Sequence, residues 1–329
     1  MAGKNILRRR EKIINCHIAL SIRNARLFAA VAFVVLLPGT VSANWTPLIE
    51  RLIADKFDET YIRMLFVRPE VRFDPAPMVI KLKTLIQTRD LQPSTSLNVR
   101  NRRVDKGYLR SSAMNAARAY YAENRIILGK IRKKYCIPEE VIVAILAVET
   151  NLGRNTGKRL AFNVLASMAF CDDLNTVRTY LQNELAPPDT EAYAQRRCRE
   201  KSEWAYNELK YLIKYAQDRH ADPLAIPGSI YGAIGLCQFM PSNVFLYGVD
   251  ADENGHVDLF SSPDALYSVG NYLRMNGWKC RMDRMNRHKV ILTYNRSQVY
   301  ANTVLAVADR LHGNTGMLKK RKGHFSREG

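Results

Sequence analysis

One glutamate at the end of an apolar segment, Glu149, has the setting that best suits acid–base chemistry. Eight consecutive apolar residues precede it at 141–148, behind Pro138, Glu139 and Glu140. Proline and acidic residues at the start of this segment predict a buried helix with Glu149 on its last turn. Apolar neighbours and the negative end of the helix dipole favour a protonated carboxyl group, as a general acid requires. The alternative is a helix-ending glutamate that points to water.

A second set of residues, within 250–258, has the spacing of calcium ligands. Oxygen donors stand at loop positions 1, 3 and 5, a glycine at position 6 and a backbone carbonyl at position 7: Asp250, Asp252, Asn254, Gly255 and His256. This is the first half of an EF-hand loop. Ser261 occupies position 12, where an EF-hand has glutamate. An acidic turn without a metal is the alternative.

Weak strand signals and repeated amphipathic segments predict a mainly α-helical protein that positions these residues. Prolines at 69, 75 and 77 predict an extended segment over 67–78, and a polar stretch predicts a loop over 90–106. Helices are expected from Thr46, from Asp58, and over 79–88, 112–135, 204–217, 262–276 and 297–311.

The amino-acid composition is typical of a globular protein, and the net charge predicts an anionic partner. The 329 residues are 47% hydrophobic and 25% charged, with a formal net charge of +19 and a pI near 9.8. Such a charge favours binding to nucleic acid, phospholipid headgroups or a carboxylate-bearing polymer. No nucleic-acid motif accompanies it, so we expect no nucleic-acid partner.

The first 43 residues have the pattern of a secretory signal. Arg23 and Arg26 precede an apolar run at 27–37, and small residues follow up to Ala43. We therefore predict a signal peptide over 1–43 and a periplasmic protein; an uncleaved membrane anchor is the alternative. At the other end, residues 313–329 form a basic tail without apolar periodicity.

An odd number of cysteines, five, follows Ala43, so export to an oxidising compartment would leave at least one thiol unpaired. We predict a disulfide between Cys171 and Cys198. It would close the polar, proline-containing stretch between them.

Four segments together resemble the B-type lytic murein transglycosylases in order and approximate spacing. They are the Val148–Lys158, Gly228–Ser242 and Asn271–Trp278 regions, and the Tyr-Asn-Arg-Ser sequence at 294–297. The resemblance covers about 135–311 and implies a helical N-terminal region over 44–111. It also implies a lysozyme-like catalytic domain over 112–312. The fold class expected is mainly α, within the α+β lysozyme-like superfamily.

The resemblance implies cleavage of the MurNAc–GlcNAc bond of peptidoglycan with formation of a 1,6-anhydro sugar. Glu149 matches the catalytic acid of the family, and a further five residues match positions that line its sugar groove: Ser229, Gln238, Tyr272, Tyr294 and Asn295. Ordinary glycosidases use two carboxylates. No obvious partner stands near Glu149 in sequence, which suits a mechanism with one carboxyl group.

The resemblance also places the last calcium ligand at Asp264, so a 250–264 loop would bind a structural Ca²⁺; no cofactor is expected for the chemistry. Leu174 and Asn175 replace a pair of arginines common in the family, and an apparent insertion follows, so that 171–199 departs from the pattern. Peptidoglycan strands are the expected partner of a monomer with loose membrane association. A hydrolytic muramidase and a non-catalytic wall-binding scaffold remain as alternatives.

Overall fold

The computed structural model describes residues 44–89, 103–186 and 189–324, with side chains through 313. These described residues belong to one compact unit. The predicted signal over 1–43 lies outside the described residues, as does most of the predicted loop over 90–106. The domain boundaries therefore stay a prediction.

The described chain is built from α-helices with one very short sheet. The helices are α1 (Thr46–Ala54), α2 (Glu59–Phe66), α3 (Ala76–Gln87), α4 (Ser111–Glu123), α5 (Arg125–Tyr135), α6 (Glu139–Thr150), α7 (Ala161–Phe170), α8 (Thr190–Asp218), α9 (Pro241–Tyr247), α10 (Ser262–Met275), α11 (Arg284–Tyr294) and α12 (Gln298–His324). The strands are β1 (Arg159–Leu160) and β2 (Pro227–Gly228).

Helix α6 lies at the centre of the helical core. Every residue over 141–147 is buried, because the helix packs against α4, α5, α10 and α12. A helix that is apolar on all sides requires this placement. The predicted helix is thus confirmed, with Pro138 as its N-cap residue and Glu139 as its first helical residue.

The N-terminal helices pack onto α7 through aromatic contacts. The Trp45 and Phe170 rings lie 5.3 Å apart and the Phe66 and Phe162 rings 5.2 Å apart, both edge to face. The Asp74 amide also donates to the Ser167 hydroxyl at 2.8 Å. Edge-to-face pairs stabilise beyond the area they bury. The region before α4 is therefore integrated with the core that carries α6.

The sheet joins the segment after α6 to the segment after α8. Arg159 pairs with Gly228 in antiparallel register. Gly157 has φ of 113°, and a Cβ there would lie 2.0 Å from the Gly228 carbonyl oxygen. Only glycine permits this approach of two backbones.

Several predicted elements differ from the observed ones. The expected helix over 112–135 is two helices separated by Asn124, whose side-chain amide donates to the Tyr120 carbonyl at 2.9 Å and ends α4. Helix α3 begins inside the segment predicted to be extended, because proline is compatible with a first helical turn. Helix α8 begins fourteen residues before 204, so the 171–199 region contains two 3₁₀ turns and the start of α8.

The predicted disulfide between Cys171 and Cys198 is wrong. Both are buried free thiols, and the Cys198 Sγ–H donates to the Cys171 carbonyl at 2.9 Å. The disulfide instead joins Cys136 and Cys280, 144 residues apart, and so connects the segment before α6 to the loop between α10 and α11. Spacing in sequence suggested the nearer pair, but the packing of α8 on α7 gives each of these thiols a buried environment without a bond between them.

The C-terminal segment is more helical than expected. Helix α12 continues to His324, beyond the predicted start of a tail at 313. None of the helices in the described part of the chain is long and apolar enough to cross a membrane.

Candidate active site

Glu149 stands on the last turn of α6, where the backbone changes direction abruptly. Asn151, Leu152 and Gly153 follow with φ values of 51°, 61° and 86°. Left-handed geometry is unfavourable for a residue such as Leu152, and strain of this kind persists only where its surroundings impose it. The Leu152 amide donates to the Leu146 carbonyl at 3.0 Å and closes the helix end.

Thr150 connects this helix end to the segment that carries Gln238. Its hydroxyl donates to the Leu236 carbonyl at 2.8 Å and accepts from the Gly153 amide at 2.9 Å. Thr150 is only 1% exposed, so these bonds form away from water. The backbone beside Glu149 is thereby held on two sides.

The carboxyl group of Glu149 has a pKa raised to about 7. Burial is the main cause, because an ionised carboxylate loses hydration inside the protein. The Tyr300 hydroxyl opposes this effect and lowers the pKa. Tyr300 is itself buried, and its hydroxyl makes no hydrogen bond of normal geometry within the described residues. The hydroxyl thus lies beside the carboxyl group without being committed elsewhere.

Uncharged groups surround Glu149. Its electrostatic neighbours include the thiol of Cys237 and the hydroxyls of Tyr108, Tyr294 and Tyr300. No second carboxylate among the described residues affects its pKa. Among the described residues, Glu149 is therefore a carboxyl group with a raised pKa and no charged partner that shifts it.

Ser229 is held with its hydroxyl proton unused. Its oxygen accepts from the amides of Tyr231 at 3.3 Å and Ala233 at 3.0 Å. Both bonds leave the O–H free to donate to a ligand. Asn295 is exposed just after α11. These two side chains are the predicted groove residues most available to a sugar.

Three other predicted groove residues use their polar groups inside the protein. The Gln238 amide donates to the carbonyls of Thr156 at 3.1 Å and Gly235 at 3.0 Å. The Tyr272 hydroxyl donates to the Thr293 carbonyl at 2.7 Å, and the Tyr294 hydroxyl to the Cys237 carbonyl at 2.6 Å. The bonds of Gln238 and Tyr294 tie the segment after Gly235 to its neighbours.

Several aromatic rings pack together around Tyr272. Tyr272 lies 4.6 Å from Tyr247, 4.8 Å from Tyr294 and 5.6 Å from Phe239, measured between ring centroids. Such packing makes a rigid base. Tyr272 and Tyr294 thus contribute mainly through their rings.

The predicted metal loop forms a compact group of carboxylates. Asp250, Asp252 and Asp264 each offer an oxygen, and the three oxygens lie within 4.8 Å of one another. Gly255 has φ of 92°, which gives the sharp turn that a calcium loop needs at position 6. The Asn254 side-chain oxygen accepts from the His256 amide at 3.0 Å.

Asp264 is the most informative member of this group because it is fully buried. Its two oxygens accept from the amides of Ala251 at 2.8 Å and Asp258 at 2.6 Å. Burial raises its pKa despite these bonds. A buried carboxylate facing two other acidic side chains fits a divalent cation with oxygen ligands.

The profile of the transglycosylase SLT domain matches residues 40–285. The match covers most of the chain and includes both Glu149 and the metal loop. The chain belongs to this transglycosylase family. Among curated proteins, the membrane-bound lytic murein transglycosylase B of Escherichia coli is 29% identical over 191 residues. That alignment spans 58% of this chain and 46% of the relative.

Solved transglycosylases share the fold. Escherichia coli Slt35 in complex with calcium superimposes with a TM-score of 0.61 and 21% identity, over 81% of this chain and 92% of that chain. Pseudomonas aeruginosa SltB1 superimposes with a TM-score of 0.62 and 20% identity, over 83% of this chain and 100% of that chain. Pseudomonas aeruginosa SltB3, solved with NAG-NAM-pentapeptide, superimposes with a TM-score of 0.59 and 20% identity, over 82% of this chain and 79% of that chain. The fold is therefore that of the lysozyme-like lytic transglycosylases.

The sequence did not predict that the fold brings Tyr108 and Tyr300 to Glu149, nor that Thr150 braces the helix end. Tyr108 donates to the Val148 carbonyl at 3.2 Å, Tyr300 faces the carboxyl group, and Thr150 donates to the Leu236 carbonyl. Tyr300 could have been noticed, because it lies three residues after the motif at 294–297. Tyr108 lies in a short 3₁₀ turn that carries no comparable signal.

A cavity of about 390 Å³ lies at the opposite end of α6, lined by residues that include Glu139 and Glu140. Glu149 lies ten positions after Glu139 in α6, a rise of about 15 Å. This cavity is therefore separate from the carboxyl group of Glu149.

Proposed function

We propose that this protein is a lytic transglycosylase that cleaves the MurNAc–GlcNAc bond of peptidoglycan without water. The observation that carries the proposal is the isolated carboxyl group of Glu149, with a pKa raised to about 7 in a setting of uncharged side chains. A general acid needs a proton to give near the working pH. Membership of the transglycosylase family supplies the substrate class.

Glu149 acts first as acid and then as base. Its carboxyl proton passes to the glycosidic oxygen as the bond from that oxygen to C1 of MurNAc breaks, and the GlcNAc side leaves as an alcohol. The substrate's own N-acetyl group stabilises the cation that develops at C1. The muramyl 6-hydroxyl then attacks C1 and gives its proton to the Glu149 carboxylate, which regenerates the acid and forms the 1,6-anhydro ring.

The protein contributes rigidity and sugar contacts to this reaction. Ser229 and Asn295 offer polar groups to the glycan, while Gln238, Tyr272 and Tyr294 hold the groove in shape. The Thr150 bonds keep the carboxyl group aligned. Fixed geometry of this kind can contribute several kcal/mol to catalysis.

The test is mass spectrometry of products released from purified sacculi. A transglycosylase yields anhydro products lighter by one water than the products of a hydrolytic muramidase. The Glu149→Gln variant should bind glycan and release nothing, since it has no transferable carboxyl proton. Reducing ends from the unsubstituted protein would identify a muramidase instead. Absence of turnover by the unsubstituted protein would support a wall-binding scaffold.

We further propose a structural Ca²⁺ held by Asp250, Asp252, Asn254, the His256 carbonyl and Asp264. The distances among the carboxylates and the burial of Asp264 support this ligand set. The Slt35 relative was solved in complex with calcium. The cation would stabilise the loop between α9 and α10 and take no part in proton transfer.

We propose the periplasm as the site of action. The Cys136–Cys280 disulfide suits an oxidising compartment, and the charge pattern of residues 1–43 is that of an export signal. Peptidoglycan strands are the partner that this location makes available to the groove.

A further inference from the structure

We propose that Glu208, on helix α8, is a positioning residue for the reaction: it holds the 235–242 segment, which carries Gln238, through a two-point contact with Ser242. This inference rests on the proposed function and adds to it a residue that none of the four transglycosylase-like segments contains. Glu208 is only 6% exposed, so its carboxylate acts inside the protein.

Both carboxylate oxygens of Glu208 bind the same residue. Oε1 accepts from the Ser242 hydroxyl at 2.8 Å and Oε2 accepts from the Ser242 amide at 2.9 Å. Ser242 lies in the first turn of α9, where backbone amides lack partners within the helix. Met240, the N-cap residue, makes no side-chain cap bond. Glu208 therefore supplies, from a neighbouring helix, the acceptor that an N-cap side chain usually provides.

A buried carboxylate is a costly way to cap a short helix. Burial raises the pKa of Glu208, and the two bonds to Ser242 oppose that effect. A carboxylate has two acceptor oxygens, however, and so can hold a hydroxyl and an amide at once. Two bonds fix the orientation of Ser242 as well as its position.

The 235–242 segment needs such support, because its backbone is strained. Gln238 has φ of 50°, in the left-handed region, and strain of this kind persists only where the surroundings impose it. At one end of the segment, the Thr150 hydroxyl donates to the Leu236 carbonyl at 2.8 Å. At the other end, Glu208 holds Ser242. The segment is therefore fixed from both sides.

The Thr150 bond connects this support to the proposed acid. Thr150 follows Glu149 directly and binds the 235–242 segment, so a shift of that segment also shifts the helix end that carries the carboxyl group. Small displacements of reacting groups cost large factors in rate. Loss of the Glu208 contact should therefore lower kcat.

The experiment measures apparent kcat and KM for release of anhydro products from soluble peptidoglycan strands by the full-length protein. Glu208→Met keeps the length of the side chain and removes both acceptors. Glu208→Gln keeps one acceptor for the Ser242 amide and can donate to the Ser242 hydroxyl oxygen. Glu203→Met, at an exposed position on the same helix, is the matched control. Urea denaturation of each variant measures stability separately.

We expect Glu208→Met to lower kcat about tenfold and to change KM less than about twofold, as loss of two charge-assisted hydrogen bonds that act on alignment implies. Glu208→Gln should recover most of this loss, and Glu203→Met should match the parent. Ser242→Ala, which removes one of the two bonds, should lower kcat about threefold. Adding it to Glu208→Met should cause no further loss, because both changes break the same contact.

A folded Glu208→Met protein with the kcat of the parent would overturn the inference, even with lower stability, because Glu208 would then be a structural cap alone. Additive losses in the double variant would also overturn it. If Glu208→Met does not fold, Ser242→Ala decides, and a kcat equal to that of the parent refutes positioning. These results leave the proposed function intact. An unsubstituted protein that releases no anhydro product would overturn the proposed function and this inference together.

Discussion

Glu149 gains its raised pKa from burial and not from a charged neighbour. Uncharged hydroxyls and a thiol surround it, and the Tyr300 hydroxyl acts in the opposite direction. A raised pKa of this origin survives changes in ionic strength, because no screened charge pair produces it. The group can therefore keep its proton near neutral pH over a range of ionic strengths.

Replacing Glu149 by glutamine should stabilise the protein at high pH. The folded-state pKa of about 7 exceeds the ordinary value of 4.5, so the folded state favours the protonated group. Its contribution to stability is complete below about pH 4.5 and is lost as the pH rises through 7. Because glutamine resembles the protonated form, Glu149→Gln should nearly equal the parent at pH 4.5 and exceed it by about 3 kcal/mol at pH 8.5.

Urea denaturation at both pH values measures this difference. Glu123→Gln, at an exposed helix end, is the control and should show no comparable pH dependence. A Glu149→Gln variant that is no more stable than the parent at pH 8.5 would contradict a buried carboxyl group with a raised pKa.

At the scale of elements, the loop between α9 and α10 is held in shape mainly by acidic side chains that accept hydrogen bonds from its backbone amides. Asp264, in the first turn of α10, accepts from the amides of Ala251 and Asp258, while Asp250 accepts from the Gly255 amide at 2.8 Å. Three acidic groups held this close repel one another unless a cation is bound. A cation bound by the proposed ligands would therefore also affect the position of Tyr272 on α10.

Removal of calcium should lower the melting temperature. A ligand present at about 100 times its Kd stabilises by about 2.7 kcal/mol, which corresponds to several degrees in a domain of this size. Scanning calorimetry in EDTA and after return of Ca²⁺ tests this. Asp264→Asn should reduce the response, and Asp309→Asn, at an exposed position on α12, should retain it. An identical melting temperature in EDTA and in Ca²⁺ would argue against the site.

At the scale of the whole molecule, the Cys136–Cys280 disulfide joins parts of the chain that no local interaction connects. It fixes the entry to α6 against the loop after α10, where Trp278 is buried and donates to the Cys136 carbonyl at 3.3 Å. A cross-link over 144 residues excludes many expanded unfolded conformations.

The double variant Cys136→Ser with Cys280→Ser should lose about 2–5 kcal/mol of unfolding free energy. Chemical denaturation under non-reducing conditions measures it. The double variant Cys171→Ala with Cys198→Ala controls for loss of buried thiols: it should retain the disulfide and respond to reductant as the parent does. A parent whose stability is unchanged by reductant would refute the bridge's contribution.

Local patterns predicted the parts of this protein that depend on neighbours in sequence. The uniform apolar run over 141–148 required burial, and Asp250, Asp252 and Gly255 already have calcium-loop spacing. The break at Asn124 was not predictable, because a single side-chain bond to the Tyr120 carbonyl ends α4 within an otherwise periodic segment. The start of α8 was missed since its polar first turns gain stability from packing and not from periodicity.

The sequence by itself determined the mainly helical class of fold and singled out Glu149 and the candidate metal ligands, since each depends on residue types at short, regular spacing. Only the tertiary structure decided which cysteines pair and that Tyr108 and Tyr300 lie near Glu149. Those contacts join residues far apart in the chain. Their geometry follows from how whole helices pack, and side-chain spacing along one element carries no information about it.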